Sequence, residues 1–173
     1  MMRRKKVEKV VFVDLPQLMN GGKKPNFYTL FEDLREEFDE VKTYSTPSKG
    51  ESLNALGVAA SAGAFPIICP GDPDPIIVEE IRRLLDKRRG INEIAILSGD
   101  TGYFEVLETV KREGIKTKVI LPYDNGSRLL KTIADEIASV EEYAPEYNPV
   151  SPWITERGSG KSIAERQEGV MFG

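Results

Sequence analysis

The chain has 173 residues, 40% hydrophobic and 30% charged, with a net charge of −4. That balance is expected of a folded domain, and no apolar run approaches the ~20 residues that span a bilayer. Histidine is absent and Cys69 is the single cysteine. This excludes Ser-His and Cys-His nucleophiles, His-ligated metals, a thiolate zinc site and an intrachain disulfide. Carboxylate, lysine, tyrosine and hydroxyl groups remain for chemistry, and a bound metal should be a hard, oxygen-liking ion such as Mg²⁺ or Mn²⁺. A cytoplasmic location without membrane association is expected, and a homo-oligomer is left open. The acidic balance gives no overall attraction to nucleic acid, although Arg3 to Lys6 and Lys87 to Arg89 form local basic patches.

In chain order, Val10–Val13 is an apolar run that breaks into charge at Asp14. It reads as a first strand rather than a signal peptide. Phe27, Leu30, Phe31, Leu34 and Phe38 recur at helical spacing. A short strand follows over Val41–Ser45, then a weaker helix of small residues through Leu53, Leu56, Gly57 and Ala60, and a strand over Phe65–Cys69. Asp74-Pro75 reads as an N-cap and first helical residue, ahead of a stripe formed by Ile77, Ile81, Leu84 and Leu85. Ile94–Leu97 is a fourth strand, and Tyr103, Val106, Leu107 and Val110 form the next helical stripe. Val119–Leu121 is a fifth strand. A turn at Asp124-Asn125-Gly126 then leads into a last helix carrying Leu130, Ile133, Ala134 and Ile137.

Strict strand–helix alternation predicts an α/β fold with a central, mainly parallel five-stranded sheet and helices on both faces, a three-layer sandwich. The expected domain covers 1–143. Residues 144–173, with three prolines after Ala144, four glycines and no apolar period, read as a C-terminal tail or extension. Right-handed crossovers would bring the strand C-termini to one edge, where open α/β sheets bind their ligands.

That edge is acidic. Asp14 ends the first strand, Asp72 and Asp74 follow the third, Asp100 follows the fourth and Asp124 the fifth. Carboxylates gathered on one edge repel one another unless a cation holds them, which is the physical case for a divalent metal. Each also has a plainer reading: Asp74 and Asp100 as helix caps, Asp124 as a turn residue. Asp14 has no such role in view, because Leu15-Pro16 is no obvious helix start. Glu80 flanks the Ile77/Leu84 stripe at about 100° per residue, so it either reaches the strand edge or lies at the boundary with solvent.

Other motifs fail on spacing. Gly158-Ser159-Gly160-Lys161-Ser162 lacks the first P-loop glycine, Thr155 standing in its place, and no G-x-G-x-x-G follows the first strand. Pro16 stands where a haloacid-dehalogenase-like phosphatase needs a second aspartate, and Toprim domains place a glutamate after the first strand. Cys69 reads as a packed residue and Trp153 as a tail anchor.

The run Ile94 to Asp100 (IAILSGD), continued by Thr101, Gly102, Tyr103 and Phe104, resembles the strand and SGD-x-D-F signature of the NYN domains. These are the LabA-like branch of the PIN-like nuclease superfamily. Asp74 and Glu80, six apart, resemble that family's paired helix acids, and Asp14 its first-strand acid. Thr117 to Leu121 and the Ser127, Leu130, Ala134, Asp135 spacing resemble the segment that follows. The likeness covers about 7–141 and is weakest over 42–70. It departs at Gly102, where the signature has an acid, at Gln17 in place of asparagine, and at Gly71 and Asp72 in place of lysine and glycine. The resemblance implies a PIN-like Rossmannoid sheet and a Mg²⁺ or Mn²⁺ centre held by Asp14, Asp74, Glu80 and Asp100. It also implies RNA as substrate, cleaved by a metal-dependent ribonuclease. Other expectations are a PIN-like module that binds RNA or protein without cutting, and a hydrolase of small phosphate esters.

Overall fold

The computed structural model describes residues 6–19, 24–46, 50–87, 90–122 and 128–144. Arg3 to Lys5, Arg88, Arg89, the Asp124 turn, Ser127, Trp153 and the Gly158–Ser162 run lie outside these residues.

The strands are β1 (Lys9–Asp14), β2 (Glu40–Ser45), β3 (Phe65–Ile68), β4 (Glu93–Leu97), β5 (Lys116–Leu121) and β6 (Glu136–Ser139). They form one sheet in the order β3-β2-β1-β4-β5-β6, every pairing parallel. The helices are α1 (Leu15–Met19), α2 (Phe27–Glu37), α3 (Gly50–Ser61), α4 (Pro73–Lys87), α5 (Phe104–Arg112) and α6 (Arg128–Ile133). Val11, Val13, Ala95, Leu97 and Ile120 face the layer of α1 to α3, whereas Val10, Phe12, Ile94, Ile96 and Val119 face α4 to α6. Because both faces of β1 and β4 are covered, those strands read as continuous apolar runs rather than alternating ones. The result is the expected three-layer α/β sandwich.

The local signals are physical. Asn26 caps α2 by accepting from Thr29 N at 3.2 Å, and Phe27, Leu30, Phe31 and Leu34 are buried along one face. α5 buries Val106, Leu107 and Val110 and stops at Gly114, whose φ of +78° lies in the left-handed region that favours glycine. Asp39 joins the start of β1 to the entry of β2, accepting from Glu8 N at 2.9 Å and Lys9 N at 3.0 Å. Asp39→Ala leaves both half-buried donors without that carboxylate and is expected to cost about 1 kcal/mol in a urea melt. An unchanged midpoint would mean water replaces the carboxylate fully. At the far end, Tyr143 Oη contacts Glu37 Oε1 at 3.0 Å and Ala144 is buried against the α1–α3 layer.

Four expectations are corrected. The sheet has six strands among the described residues, not five. Ile137 belongs to β6 rather than to the last helix, which ends at Ile133. There the Asp135 carboxylate accepts from Thr117 N and Thr117 Oγ1, at 2.9 and 3.1 Å, and turns the chain into an edge strand. A helix, α1, does start directly after Asp14. Finally, α4 begins at Pro73, so Asp74 is not its N-cap; Asp72 takes that role, accepting from Asp74 N at 3.0 Å.

No helix among the described residues is long and apolar enough to cross a membrane.

Candidate functional site

The strand order reverses between β1 and β4: the chain runs outward to β3 on one side, then returns through α4 to β4 on the other. Such a switch point opens a crevice at the strand C-termini, and open α/β sheets bind their ligands there. Three of the four acids singled out by sequence stand at this end of the sheet. Asp14 ends β1, Asp74 lies in the first turn of α4, and Asp100 follows β4. The Asp74 carboxyl lies within hydrogen-bonding reach of both the Asp14 and Asp100 carboxyls.

Two groups that sequence reasoning left out of the site hold this cluster together. Tyr103 Oη is 2.9 Å from Asp14 Oδ2 and 2.7 Å from Asp74 Oδ1. Ser98 Oγ is 3.5 Å from Asp14 Oδ2 and accepts from Asp100 N at 3.1 Å. Asp100 in turn accepts from Gly102 N at 2.9 Å and caps the 3₁₀ turn Thr101–Tyr103. The capping role expected of Asp100 therefore exists, and the residue joins the cluster as well. By periodicity alone Tyr103 is one more apolar position of a helical stripe. The available signal was chemical: a buried tyrosine needs a partner for its hydroxyl.

A phenol has one proton, and Tyr103 Oη makes short contacts with two carboxyl oxygens, so one of those acids must supply a second proton. Asp74 is the acid disposed to carry it. Burial and the hydrogen-bonded Asp14 and Asp100 carboxyls push its pKa up to about 8. Burial likewise raises Asp14, although its hydrogen bonds with Asp74 and Tyr103 pull the other way. Burial and the neighbouring Asp14 charge hold the Tyr103 hydroxyl far above the ordinary phenol range.

Glu80 does not join them. Its Oε1 pairs with Arg83 Nη1 at 3.2 Å and its Oε2 lies 4.0 Å from Lys42 Nζ. Cys69 is buried where β3 ends, and its thiol is raised by burial, then by Asp14 and Asp72. It is a packed residue, as its sequence setting indicates. On the same side of the sheet, Tyr44 is paired in register with Asp14 and is 1% exposed, and its hydroxyl has no hydrogen-bond partner among the described residues.

Carboxylate oxygens are the donor type that a hard divalent cation takes. The arrangement itself is that of hydrogen-bonded acids. Among the described residues, no group of three or more Asp, Glu, His or Cys side chains is set to hold a metal ion. The Tyr103 hydroxyl stands against both Asp14 and Asp74, and Glu80 is turned to Lys42 and Arg83.

No family model and no curated protein matches the chain. Among solved structures, VPA0982 from Vibrio parahaemolyticus RIMD 2210633, described as a protein of unknown function, is similar with a TM-score of 0.64 at 15% identity. The match covers 83% of this chain and 99% of that one. AtPrR2 in its apo form aligns with a TM-score of 0.37 at 12% identity, over 66% of this chain and 48% of that one. A putative oxidoreductase from Parabacteroides merdae ATCC 43184 aligns with a TM-score of 0.37 at 18% identity, over 78% of this chain and 31% of that one. The likeness to the Vibrio protein shows a shared α/β fold.

Proposed function

We propose that this chain is a metal-dependent ribonuclease of the NYN/PIN-like type, hydrolysing RNA phosphodiesters at a centre formed by Asp14, Asp74 and Asp100. The observation that carries this reading is the convergence of three carboxylates, from three separate segments, at the switch point of a parallel sheet. Their order and spacing are also those of the NYN resemblance. Mg²⁺ or Mn²⁺ held by these acids would supply Lewis-acid chemistry, activating a water and offsetting charge on the scissile phosphate. Asp74 must surrender its proton to act as a ligand, so activity should rise with pH toward and beyond neutrality. Glu80, neutralised by Arg83 and Lys42, is left outside the ligand set. A cytoplasmic setting suits a chain whose single cysteine is buried and free.

A second reading is a PIN-like module that binds RNA or protein without cutting. The absence of an acid at Gly102 favours it.

Labelled single-stranded RNA incubated with Mn²⁺, beside Asp100→Asn, separates the two. Metal-dependent cleavage by the wild type, lost in the variant, supports the nuclease. Binding without cleavage supports the module, and equal cleavage by both proteins marks a contaminant and removes the support for the enzyme.

A further inference from the structure

The two edges of the sheet are built differently. β6 carries Glu136, which pairs with Lys116 and Lys118 at 3.0 and 3.4 Å, so that flank is charged. Charge is a common protection of an exposed strand edge against pairing with another chain. β3 has none of it. From Ser52 to Gly71, a run that takes in most of α3 and all of β3, the chain has no charged residue, although 30% of its residues are charged. Phe65 and Ile68 are 53% and 62% exposed, the largest values for bulky apolar side chains among the described residues. α3, which packs against β3, exposes Asn54, Gly57, Ala60 and Ser61, all uncharged.

The backbone limits how a partner can join this edge. Cys69 N donates to Ser45 O at 2.7 Å, so Phe65, Ile67 and Cys69 turn their peptide groups toward β2. The alternate residues, Pro66 and Ile68, turn theirs outward. Proline has no N–H, which leaves Ile68 N–H as the one outward donor of β3. An extended peptide laid here would gain only a short, incomplete ladder. A partner must therefore be held mainly by apolar contact, and it must bring an uncharged face, because a charge buried against this edge would find nothing to pair with. A second copy of the chain brings such a face. Related by a two-fold axis, the same edge meets itself antiparallel, and each Ile68 N–H finds a carbonyl on the other copy.

We propose that this protein forms a two-fold dimer through β3, edge against edge, with Phe65 and Ile68 of each copy buried in the contact. The pairing uses the β3 edge of both copies and leaves the charged β6 edges outermost, so the assembly closes at two copies. It is independent of what the acid cluster does.

Sedimentation equilibrium of the full chain, from micromolar to submillimolar concentration, tests this beside Ile68→Lys, Phe65→Ser and, on the other edge, Ile137→Lys. The wild type is expected to approach twice the chain mass as concentration rises. Ile68→Lys puts a charge into each half of the contact and should weaken dimerisation roughly 10- to 100-fold, as loss of a central contact does, with an unchanged circular dichroism spectrum. Phe65→Ser removes apolar area without adding charge and should also weaken it, which keeps the test sound if Ile68→Lys fails to fold. Ile137→Lys should dimerise like the wild type. In hydrogen exchange, the wild-type Ile68 amide should gain protection as concentration rises. A wild type of one chain mass at every concentration, or a dimer indifferent to both β3 substitutions, overturns the proposal. A monomer whose Ile68 amide is protected at every concentration overturns it in favour of a segment of the same chain lying on the edge, and growth beyond two copies overturns the closed contact.

Discussion

Asn in place of Asp74 is expected to raise the melting temperature of the metal-free protein by several degrees at pH 8 and to leave it nearly unchanged at pH 4. The cause is the proton that the folded cluster holds. The Asp74 carboxyl titrates at about 8 in the fold against an ordinary 3.8, so between those values the folded chain binds more protons than the unfolded one. Stability from this group is fully present below pH 3.8 and is lost as pH rises through about 8. The amide of Asn is neutral throughout and escapes that loss. The penalty amounts to a few kcal/mol at most, less once solvent screening at this half-buried carboxyl is allowed for.

Other acids pull the opposite way. Hydrogen bonds from Thr117 hold Asp135 below the ordinary carboxylate range, and Lys116 does the same for Glu136. Their stabilising contributions are present above the ordinary carboxylate range and fade as pH falls toward their lowered values. The difference between wild type and Asp74→Asn cancels them. Melts of both proteins from pH 4 to 8 read it directly, and parallel profiles would mean that Asp74 titrates like an isolated acid.

Much of the fold was legible because its signals are local. The strands β1 and β4 carry unbroken apolar runs, Val10–Val13 and Ile94–Leu97, and the faces of α2, α4 and α5 keep strict helical spacing. What escaped depends on partners distant in sequence. Nothing in Glu136 to Ser139 distinguishes a strand from the end of a helix until β5 is available to pair with it and Asp135 to close the turn. α1 has only five residues, so its stability comes from burying Leu15 and Leu18 rather than from propensity.

The candidate site divides in the same way. Asp14, Asp74 and Asp100 were visible because each lies at the end of a readable element, and parallel topology brings such ends together. The status of Asp74 turned on one residue of helix register. With Pro73 at the first position, Asp72 takes the cap and Asp74 is free for the cluster. Glu80 sits on the expected flank of α4, but Lys42 on the neighbouring strand and Arg83 one turn along claim it, and periodicity shows neither competitor. Tyr103 was hidden for a different reason: an aromatic at a buried position satisfies the apolar pattern whether or not its hydroxyl has work to do.

The central claim, that three aspartates form one cation-binding centre, is most directly tested by thermal melts of wild type and Asp100→Asn with and without Mn²⁺. A cation that binds only the native state stabilises it by RT ln(1 + [L]/Kd), about 2.7 kcal/mol at a hundredfold excess over Kd. For a domain of this size that is a rise of several degrees. Asn at position 100 still accepts from Gly102 N and removes one repelling charge, so the metal-free variant should be as stable as wild type or slightly more so. The expected result is a wild-type melting temperature that climbs with Mn²⁺ and a variant that does not respond. A wild type indifferent to millimolar Mn²⁺, or a variant that climbs equally, would contradict it.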